Sequence, residues 1–530
     1  MRAGERTGGR NCARRTLTLG PPTVVTELVV VLALIAAACG TDSVDADEAR
    51  RSSSTPPTRP TVGSGDPPTG AAPVAFSIEW DACDDDDDHE CGTLVVPRDH
   101  ADPDNGATVT IALRRRPADE PDERIGAILM NPGGPGAAGQ DLVASLEESF
   151  PRSILDRFDL VGWDPRGTGE STRVTCEPDL EAFFALDKSP DDRREEAANV
   201  AAARAFAAAC AESDGDLLPF LGTTQTVEDM DAIRAALGDD ALTYLGFSYG
   251  TYLGARYAET HSDRLRALVL DGPVDPSVSA EASIEQQSLG FERALGAFLD
   301  WCDATDCGFG GSDPAVAFDR LAAAVDAEPV FAEIAGEERV LGPGEFDLGV
   351  AMALYFGENG YDGLADALSD AAGGDGSRLL ELADLYAGRV DDGDYDGSMT
   401  AFYSIGCVDS PRFTLAEIRR LAGRLARRAP ALGPANAWLG LPCVYWDAPA
   451  DPGGAPHRIE VPSDAPILVT ATDGDPATPI EWARGLAEQL GVPLLVAESD
   501  QHTAFLAGDD CIDDAIIDFL ADPTDAVSRC

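Results

Sequence analysis

Lysine is almost absent from this sequence. Lys188 is the only one, and 39 basic residues stand against 94 acidic residues, which gives a formal net charge of −55. Nucleic-acid binding depends on basic side chains that neutralise phosphates, so this composition excludes a nucleic-acid partner. We interpret the excess of carboxylates as a solvated acidic surface that keeps the protein soluble, because a large net charge opposes self-association.

The usual ligand sets for metals and phosphates are also missing. No C-x-x-C pair occurs and only five histidines are present, which argues against structural zinc. The five consecutive aspartates at 84–88 lack the alternation of a calcium loop, so we expect a solvated loop there. No Lys-Ser or Lys-Thr follows the glycine-rich stretch at 131–136, so it is not a phosphate-binding loop. The sequence predicts neither a metal nor a cofactor.

The first 75 residues lack the long apolar run of a membrane-spanning helix. Five arginines precede a short apolar segment at 28–38, as in an export signal. Cys39 ends this segment in a pattern similar to bacterial lipoprotein signals, which predicts a signal peptide over 1–39, lipidation of Cys39 and membrane contact through the lipid anchor only. The alternative is cleavage after Ala38, which gives a soluble secreted protein. Residues 40–75 are rich in Ser, Thr, Pro, Gly and Asp and predict a disordered tether.

Ten cysteines follow Cys39, and an even number in an exported protein indicates disulfides. Ten cysteines allow many pairings, and we predict that neighbours in the sequence pair with each other. The predicted pairs are Cys83–Cys91, Cys176–Cys210, Cys302–Cys307, Cys407–Cys443 and Cys511–Cys530.

Apolar runs alternate with helical patterns in two parts of the chain, 76–274 and 437–530. This alternation predicts a mostly parallel central sheet flanked by helices, which an antiparallel pair at 92–97 and 107–116 precedes. Helical patterns dominate between 275 and 436, so we predict a helical cap inserted between the two parts of the sheet domain.

Ser248 stands in Gly-Phe-Ser-Tyr-Gly, between an apolar run and a helical pattern. In this strand–turn–helix context, G-x-S-x-G is typical of a serine nucleophile on a sharp turn. The glycine-rich loop at 131–136 follows another buried strand, and we predict that the N–H groups of Gly134 and Tyr249 bind an oxyanion. The charged turn at 165–171 is expected to brace the floor of the site.

A serine nucleophile needs a base and an acid that orients the base. His502 is the only one of the five histidines that follows a predicted sheet strand near the C-terminus, so it is our predicted base. Asp475 follows the preceding strand and is our first choice for the acid. Asp473, two residues earlier, and Asp271, after the strand that follows Ser248, remain open.

Four segments together resemble a known family. They are Asn-Pro-Gly-Gly-Pro-Gly at 131–136, Gly-Trp-Asp-Pro-Arg-Gly-Thr-Gly at 162–169, Gly-Phe-Ser-Tyr-Gly at 246–250 and Asp-Pro-Ala-Thr-Pro at 475–479. This set is similar to the secreted tripeptidyl aminopeptidases of the α/β-hydrolase fold, relatives of prolyl aminopeptidase, and the similarity extends over 80–530 with a C-terminal segment of the same type.

The resemblance implies that Ser248 is the nucleophile, Asp475 the acid, His502 the base and Thr478 a residue that lines the substrate site. One difference concerns the base, because the family usually has glycines around its histidine whereas Asp500 and Gln501 precede His502 here. That difference affects the shape of the leaving-group side.

The resemblance further implies an exported serine exopeptidase that releases tripeptides, dipeptides or single residues from free peptide N-termini. A carboxylesterase or amidase acting on lipid or small-molecule esters is the alternative, and a non-catalytic scaffold is a second one. An exopeptidase also needs a carboxylate to hold the substrate ammonium, and cap glutamates such as Glu285, Glu345 and Glu358 are candidates.

Overall fold

The computed structural model describes residues 76–86, 88–390, 393–410 and 412–524. The predicted signal peptide with Cys39, the predicted tether and Cys530 lie outside these described residues. Within them, no helix is both long and apolar enough to cross a membrane.

A nine-stranded mixed sheet forms the centre of the molecule. Its strands, with the two of a separate hairpin, are β1 (Glu79–Ala82), β2 (Glu90–Pro97), β3 (Thr108–Arg116), β4 (Gly126–Asn131), β5 (Phe158–Trp163), β6 (Leu242–Phe247), β7 (Leu265–Asp271), β8 (Val330–Ile334), β9 (Glu337–Leu341), β10 (Ile467–Thr472) and β11 (Leu494–Ala497). The order in the sheet is β1-β2-β3-β5-β4-β6-β7-β10-β11. The pairs β1–β2, β2–β3 and β3–β5 are antiparallel, and all later pairs are parallel. The predicted mostly parallel sheet is confirmed.

Helices cover both faces of the sheet and build the cap. They are α1 (Asp141–Leu146), α2 (Arg152–Leu155), α3 (Leu180–Phe184), α4 (Arg193–Asp214), α5 (Thr223–Ala236), α6 (Tyr249–Thr260), α7 (Ala280–Thr305), α8 (Pro314–Ala327), α9 (Pro343–Leu354), α10 (Glu358–Ala372), α11 (Ser377–Ala387), α12 (Ser398–Asp409), α13 (Leu415–Leu425), α14 (Gly433–Leu439), α15 (Ile480–Leu490) and α16 (Asp510–Ala521). One face of the sheet packs on α5, α6 and α15, and the other packs on α1, α2 and α16. Strands β4, β5, β6 and β10 are buried along their whole length, as expected for a sheet that helices cover on both sides.

The segment between β7 and β10 folds over the carboxyl ends of the strands with its own apolar core, which α7 to α11 share. Most of it is helical, as predicted, but β8 and β9 form an antiparallel hairpin that we did not predict. Its two-residue turn is Ala335-Gly336, and both residues have positive φ, at 53° and 89°. This is the geometry of a tight hairpin turn whose twist matches the flanking strands.

The cap also includes helices that precede the predicted boundary at residue 275. The Phe183 ring of α3 and the Phe206 ring of α4 lie 5.7 and 5.0 Å from the Tyr403 ring of α12. These aromatic contacts place α3 and α4 in one apolar cluster with α12. The segment between β5 and β6 is therefore shared between the sheet domain and the cap.

Four disulfides connect cysteines that neighbour each other in the sequence. They join Cys83 to Cys91, Cys176 to Cys210, Cys302 to Cys307 and Cys407 to Cys443, which are four of the five pairs that we predicted. The fifth predicted pair includes Cys530, outside the described residues.

Candidate active site

Ser248 occupies the turn between β6 and α6. Its φ of 52° is unusual for a residue with a side chain, and such strain persists only where the surroundings hold it. A Cβ at Gly246 would lie 2.7 Å from the Gly250 carbonyl oxygen, and a Cβ at Gly250 would lie 2.8 Å from that of Asn131. The two glycines of the G-x-S-x-G pattern are thus required by the close approach of neighbouring backbone. Within the described residues, Ser248 Oγ makes no hydrogen bond of 3.5 Å or less, either to His502 or to any other group.

The loop after β4 lies directly against this turn. A Cβ at Gly133 would lie 2.6 Å from the Phe247 carbonyl oxygen and 2.9 Å from the Tyr249 nitrogen. The Gly133 N–H donates to Asn131 Oδ1 at 3.0 Å. By contrast, the N–H groups of Gly134 and Tyr249 have no acceptor in the part of the chain that the structure describes, and Tyr249 is the first residue of α6. Both groups are therefore available to a negatively charged oxygen.

Asp475 and His502 are in direct contact beyond the carboxyl ends of β10 and β11. His502 Nδ1 lies 2.9 Å from Asp475 Oδ2 and 3.0 Å from Oδ1. Burial alone would raise the pKa of Asp475, but the His502 ring and the hydrogen bonds from Thr478 outweigh it, and the pKa falls below its ordinary value. An ionised carboxylate holds a proton on Nδ1, which leaves Nε2 as the ring atom that can accept a proton.

Thr478 lies beside both members of this pair. Its N–H donates to Asp475 Oδ1 at 2.7 Å, and its hydroxyl donates to Oδ2 at 2.8 Å. The same hydroxyl is 3.3 Å from His502 Nδ1. Thr478 is buried and is not among the residues that line the cavity described below, and its hydroxyl contacts Asp475 and His502.

The two other candidate acids lie nearby but do not contact the imidazole. Asp271 accepts the N–H groups of Ala504 and Phe505, both at 2.9 Å or less, and burial raises its pKa. Asp473 is exposed and accepts the Ser499 N–H at 3.1 Å. Of the three carboxylates that the sequence left open, the structure brings only Asp475 to His502.

The end of strand β7 lies between the Ser248 turn and the segments that carry Asp475 and His502. The Ser248 N–H donates to the Asp271 carbonyl oxygen at 3.0 Å. At the next residue, a Cβ on Gly272 would lie 3.1 Å from Thr503 Cγ2 and 3.5 Å from Asp475 Oδ2. Ser248, Asp475 and His502 therefore lie at the same edge of the sheet.

The cap holds the loop that carries His502. The His502 N–H donates to the Tyr355 carbonyl oxygen at 2.9 Å, and the Tyr355 ring stands edge-on to the imidazole at 5.2 Å. The Tyr361 hydroxyl donates to Asp500 Oδ2 at 2.9 Å. Sequence reasoning missed these contacts, because no local pattern connects residues that lie about 140 positions apart.

The other histidines make structural contacts away from Ser248. His89 is 3.2 Å from Glu147, His100 is 2.7 Å from Asp229, His261 stacks on Tyr257 at 4.9 Å and His457 is 3.1 Å from Glu259.

The charged turn at 165–171 has the bracing contacts that we expected. Arg166 is fully buried, pairs with Asp229 at 2.7 Å and donates to the Phe220 carbonyl oxygen. Asp164, just before the turn, accepts the N–H groups of Gly139 and Glu170 and so fixes the backbone that follows the glycine-rich loop.

The cap encloses a cavity of about 250 Å³. Phe402 on its wall contacts the glycine-rich loop, since a Cβ at Gly136 would lie 2.6 Å from the Phe402 nitrogen. Gln287 on its wall donates to the Ala477 carbonyl oxygen at 2.8 Å. The Tyr386 ring, also on the wall, lies 6.3 Å from the Tyr355 ring that packs on His502. The cavity wall therefore contacts the glycine-rich loop and neighbours of Asp475 and His502, but Ser248, Asp475 and His502 are not among the residues that line it.

None of the three candidate cap glutamates is among the residues that line this cavity. Glu285 pairs with Arg424 and Arg428. Glu345 accepts the N–H of Gly342 at 2.7 Å, and Glu358 is exposed. The structure thus gives these candidates other partners or other surroundings.

Comparison with known proteins agrees with this geometry. A family model described as the alpha/beta hydrolase fold matches residues 126–508. The chain belongs to this family and is a serine hydrolase, which confirms the resemblance seen in the four sequence segments.

Three relatives are similar over most of their length. Serine protease Hip1 of Mycobacterium tuberculosis is 37% identical over 447 residues, which cover 81% of this chain and 84% of that protein. Carboxylesterase B of the same species is 36% identical over 482 residues, or 87% of this chain and 91% of that protein. Tripeptidyl aminopeptidase of Streptomyces lividans is 30% identical over 465 residues, or 84% of each chain.

Proposed function

We propose that the protein is an exported serine exopeptidase that releases short peptides from free N-termini through an acyl-enzyme. The observation that carries the proposal is the buried, ionised Asp475 in contact with His502 Nδ1, at the edge of the sheet where Ser248 sits on its strained turn. Two of the relatives described above are named as a serine protease and a tripeptidyl aminopeptidase.

In the proposed reaction, Ser248 Oγ attacks the scissile carbonyl carbon while His502 Nε2 takes the hydroxyl proton. The N–H groups of Gly134 and Tyr249 bind the resulting oxyanion. When the C–N bond breaks, His502 gives its proton to the leaving amine and the acyl group stays on Ser248. Water then attacks the ester with His502 again as the base, which frees the peptide acid and restores the hydroxyl. Loss of one oxyanion donor would cost about 100- to 1,000-fold in rate.

Two features support export. The basic and apolar pattern of residues 1–39 is typical of a signal peptide, and Cys39 is the proposed lipidation site. The four disulfides of the folded body suit an oxidising compartment. Labelling with radioactive palmitate in a bacterial host tests the anchor, with Cys39→Ser as the unlabelled control.

A carboxylesterase is the second candidate, because the relative Carboxylesterase B is 36% identical over most of both chains. The same nucleophile, base and oxyanion groups would hydrolyse an ester. Exopeptidase action differs in that it requires recognition of the free ammonium group at the N-terminus of the substrate.

The two functions are separated by product analysis. The purified protein is incubated with a library of peptides that have free or acetylated N-termini, and products are identified by mass spectrometry. Release of short N-terminal fragments from free peptides only is the expected result. Hydrolysis of p-nitrophenyl esters without any peptide cleavage would refute the exopeptidase function and favour the carboxylesterase function. Labelling by a fluorophosphonate probe that Ser248→Ala abolishes identifies the nucleophile in either case, and an unlabelled wild type would indicate a non-catalytic scaffold.

A further inference from the structure

Asp347 is a carboxylate without a partner in the interior of the cap. It belongs to α9 and lines the cavity described above, where its side chain is partly accessible. No hydrogen bond or ion pair reaches its carboxylate from any of the described residues. Burial, together with the negative charges of Asp187 and Asp326, raises the pKa of Asp347 well above its ordinary value. An acid that faces a cavity without a counter-charge from the protein can take its missing partner from a ligand that enters the cavity.

Lys188 does not supply that partner, although it is the only basic residue on the cavity wall. Its Nζ donates to the Phe183 carbonyl oxygen at 2.5 Å and lies 3.7 Å from the centre of the Phe183 ring. Burial also lowers the pKa of Lys188 to about 7. The amine is therefore directed toward α3, and much of the remaining wall is apolar.

We infer that Asp347 binds the free α-ammonium group of the peptide substrate. The inference rests on the proposed exopeptidase function and assigns the carboxylate that such an enzyme needs. An ammonium group would supply the positive charge that Asp347 lacks, and it would do so in a cavity whose wall contacts the glycine-rich loop and the Tyr355 ring that packs on His502.

The position of Asp347 on α9 also gives an expected length for the released peptide. Asp347 and Tyr355 are eight residues apart along the helix and its last turn, which corresponds to about 12 Å at 1.5 Å per residue. Tyr355 accepts the His502 N–H, so it marks the catalytic end of this distance. An extended peptide covers about 3.5 Å per residue, so one, two and three residues span about 3.5, 7 and 10 Å. The axial distance from Asp347 to Tyr355 is thus closest to the span of three residues, so release of tripeptides is the length that the inference puts to the test.

The test compares Asp347→Asn with the matched control Asp326→Asn. Asp326 contributes to the same local potential but is exposed and does not line the cavity. The substrates are alanine p-nitroanilides of one, two and three residues and the N-acetylated three-residue compound. Reaction with a fluorophosphonate counts the active sites, so that misfolded protein does not enter kcat.

For the wild type we expect the highest kcat/KM with the free three-residue substrate and a strong preference over its acetylated form. Asp347→Asn should reduce that preference by about 10- to 100-fold, the effect of a lost hydrogen bond to a charged group. Asp326→Asn should keep it. An unchanged preference in Asp347→Asn would overturn the assignment, and a wild-type optimum at one or two residues would overturn the predicted length.

A binding experiment keeps this inference separate from the proposed function. Free trialanine should inhibit p-nitrophenyl acetate hydrolysis by the wild type at least about tenfold more strongly than N-acetyl-trialanine, and Asp347→Asn should abolish the difference. Equal inhibition of the wild type by the two peptides would overturn the assignment of Asp347. An enzyme that hydrolyses the acetate but none of the anilides would refute the exopeptidase function, while the inhibition data would still decide the role of Asp347.

Discussion

Replacement of Asp475 by Asn tests the catalytic site with the smallest change in shape. Asp475 Oδ1 accepts the N–H groups of Ala477 and Thr478 at 2.8 and 2.7 Å. Oδ2 accepts the Thr478 hydroxyl and, at 3.2 Å, the Thr503 N–H. Two fixed backbone donors face Oδ1 at 2.7 and 2.8 Å, whereas Oδ2 has one longer backbone donor and a hydroxyl that can rotate, so we expect the amide nitrogen of Asn at the Oδ2 position.

In that position the amide donates a hydrogen bond to His502 Nδ1 instead of accepting one. The imidazole then carries its proton on Nε2, the atom that has to take the proton from Ser248. A wrong tautomer of this kind lowers kcat by about 10⁴-fold, or about 5.5 kcal/mol in the barrier. The loss should be in kcat, since Asp475 is buried beneath the site and is not on the cavity wall.

The assay measures kcat with a p-nitrophenyl ester or a peptide anilide, and thermal unfolding is followed by circular dichroism. Asp271→Asn is the matched control, because Asp271 is equally buried and accepts two N–H groups from the loop after His502 without touching the ring. We expect this control to lose mainly stability, about 1–3 kcal/mol. If Asp475→Asn kept more than about a tenth of kcat while Asp271→Asn lost most of it, the assignment of the acid would be wrong.

Three further predictions concern the parts that support the site. Gly133→Ala should abolish activity or folding, because φ is 100° there and the new methyl group would lie 2.6 Å from the Phe247 carbonyl oxygen; an enzyme with normal turnover would contradict the close approach of the two loops. Burial raises the pKa of Asp409 from its ordinary 3.8 to about 6, so the folded state binds this proton more tightly than the unfolded chain does. The free energy of unfolding should therefore fall by up to about 3 kcal/mol as pH rises from about 4 to 6, and urea titrations of Asp409→Asn should lack this contribution. Replacing Cys407 and Cys443 together by Ala opens a loop with a sequence separation of 36 and should lower the free energy of unfolding by about 4 kcal/mol in the same assay, whereas an unchanged midpoint would refute the contribution of this disulfide.

The sheet could be predicted from the sequence because its strands are short apolar runs whose character does not depend on distant residues. Strand β7 begins and ends where the pattern does, at Leu265 and Asp271. Ser248 and His502 could be placed because each directly follows such a strand or lies just beyond it. Parallel strands bring their carboxyl ends to one edge, so position after a strand already indicates position in the site.

The choice between Asp473 and Asp475 could not be made from spacing. Both residues follow β10. They differ in the direction that the turn gives them, because Asp475 contacts the imidazole whereas Asp473 accepts the Ser499 N–H. Asp347 carried no signal at all. An aspartate in a helical pattern is usually solvated, and its burial arises only when α9 folds into the cap. For the same reason, composition could not show that Glu285 and Glu345 have other partners in the cap or that Glu358 is exposed.

The hydrogen bond from the His502 N–H to the Tyr355 carbonyl makes the position of the proposed general base depend on both the sheet domain and the cap. A chimera that received its cap from another hydrolase would keep the acceptor of the His502 N–H only if the backbone at residue 355 kept its position, even with Ser248, Asp475 and His502 retained. Engineering for a wider substrate range would therefore have to keep residues 355–361 unchanged and vary other residues that line the cavity.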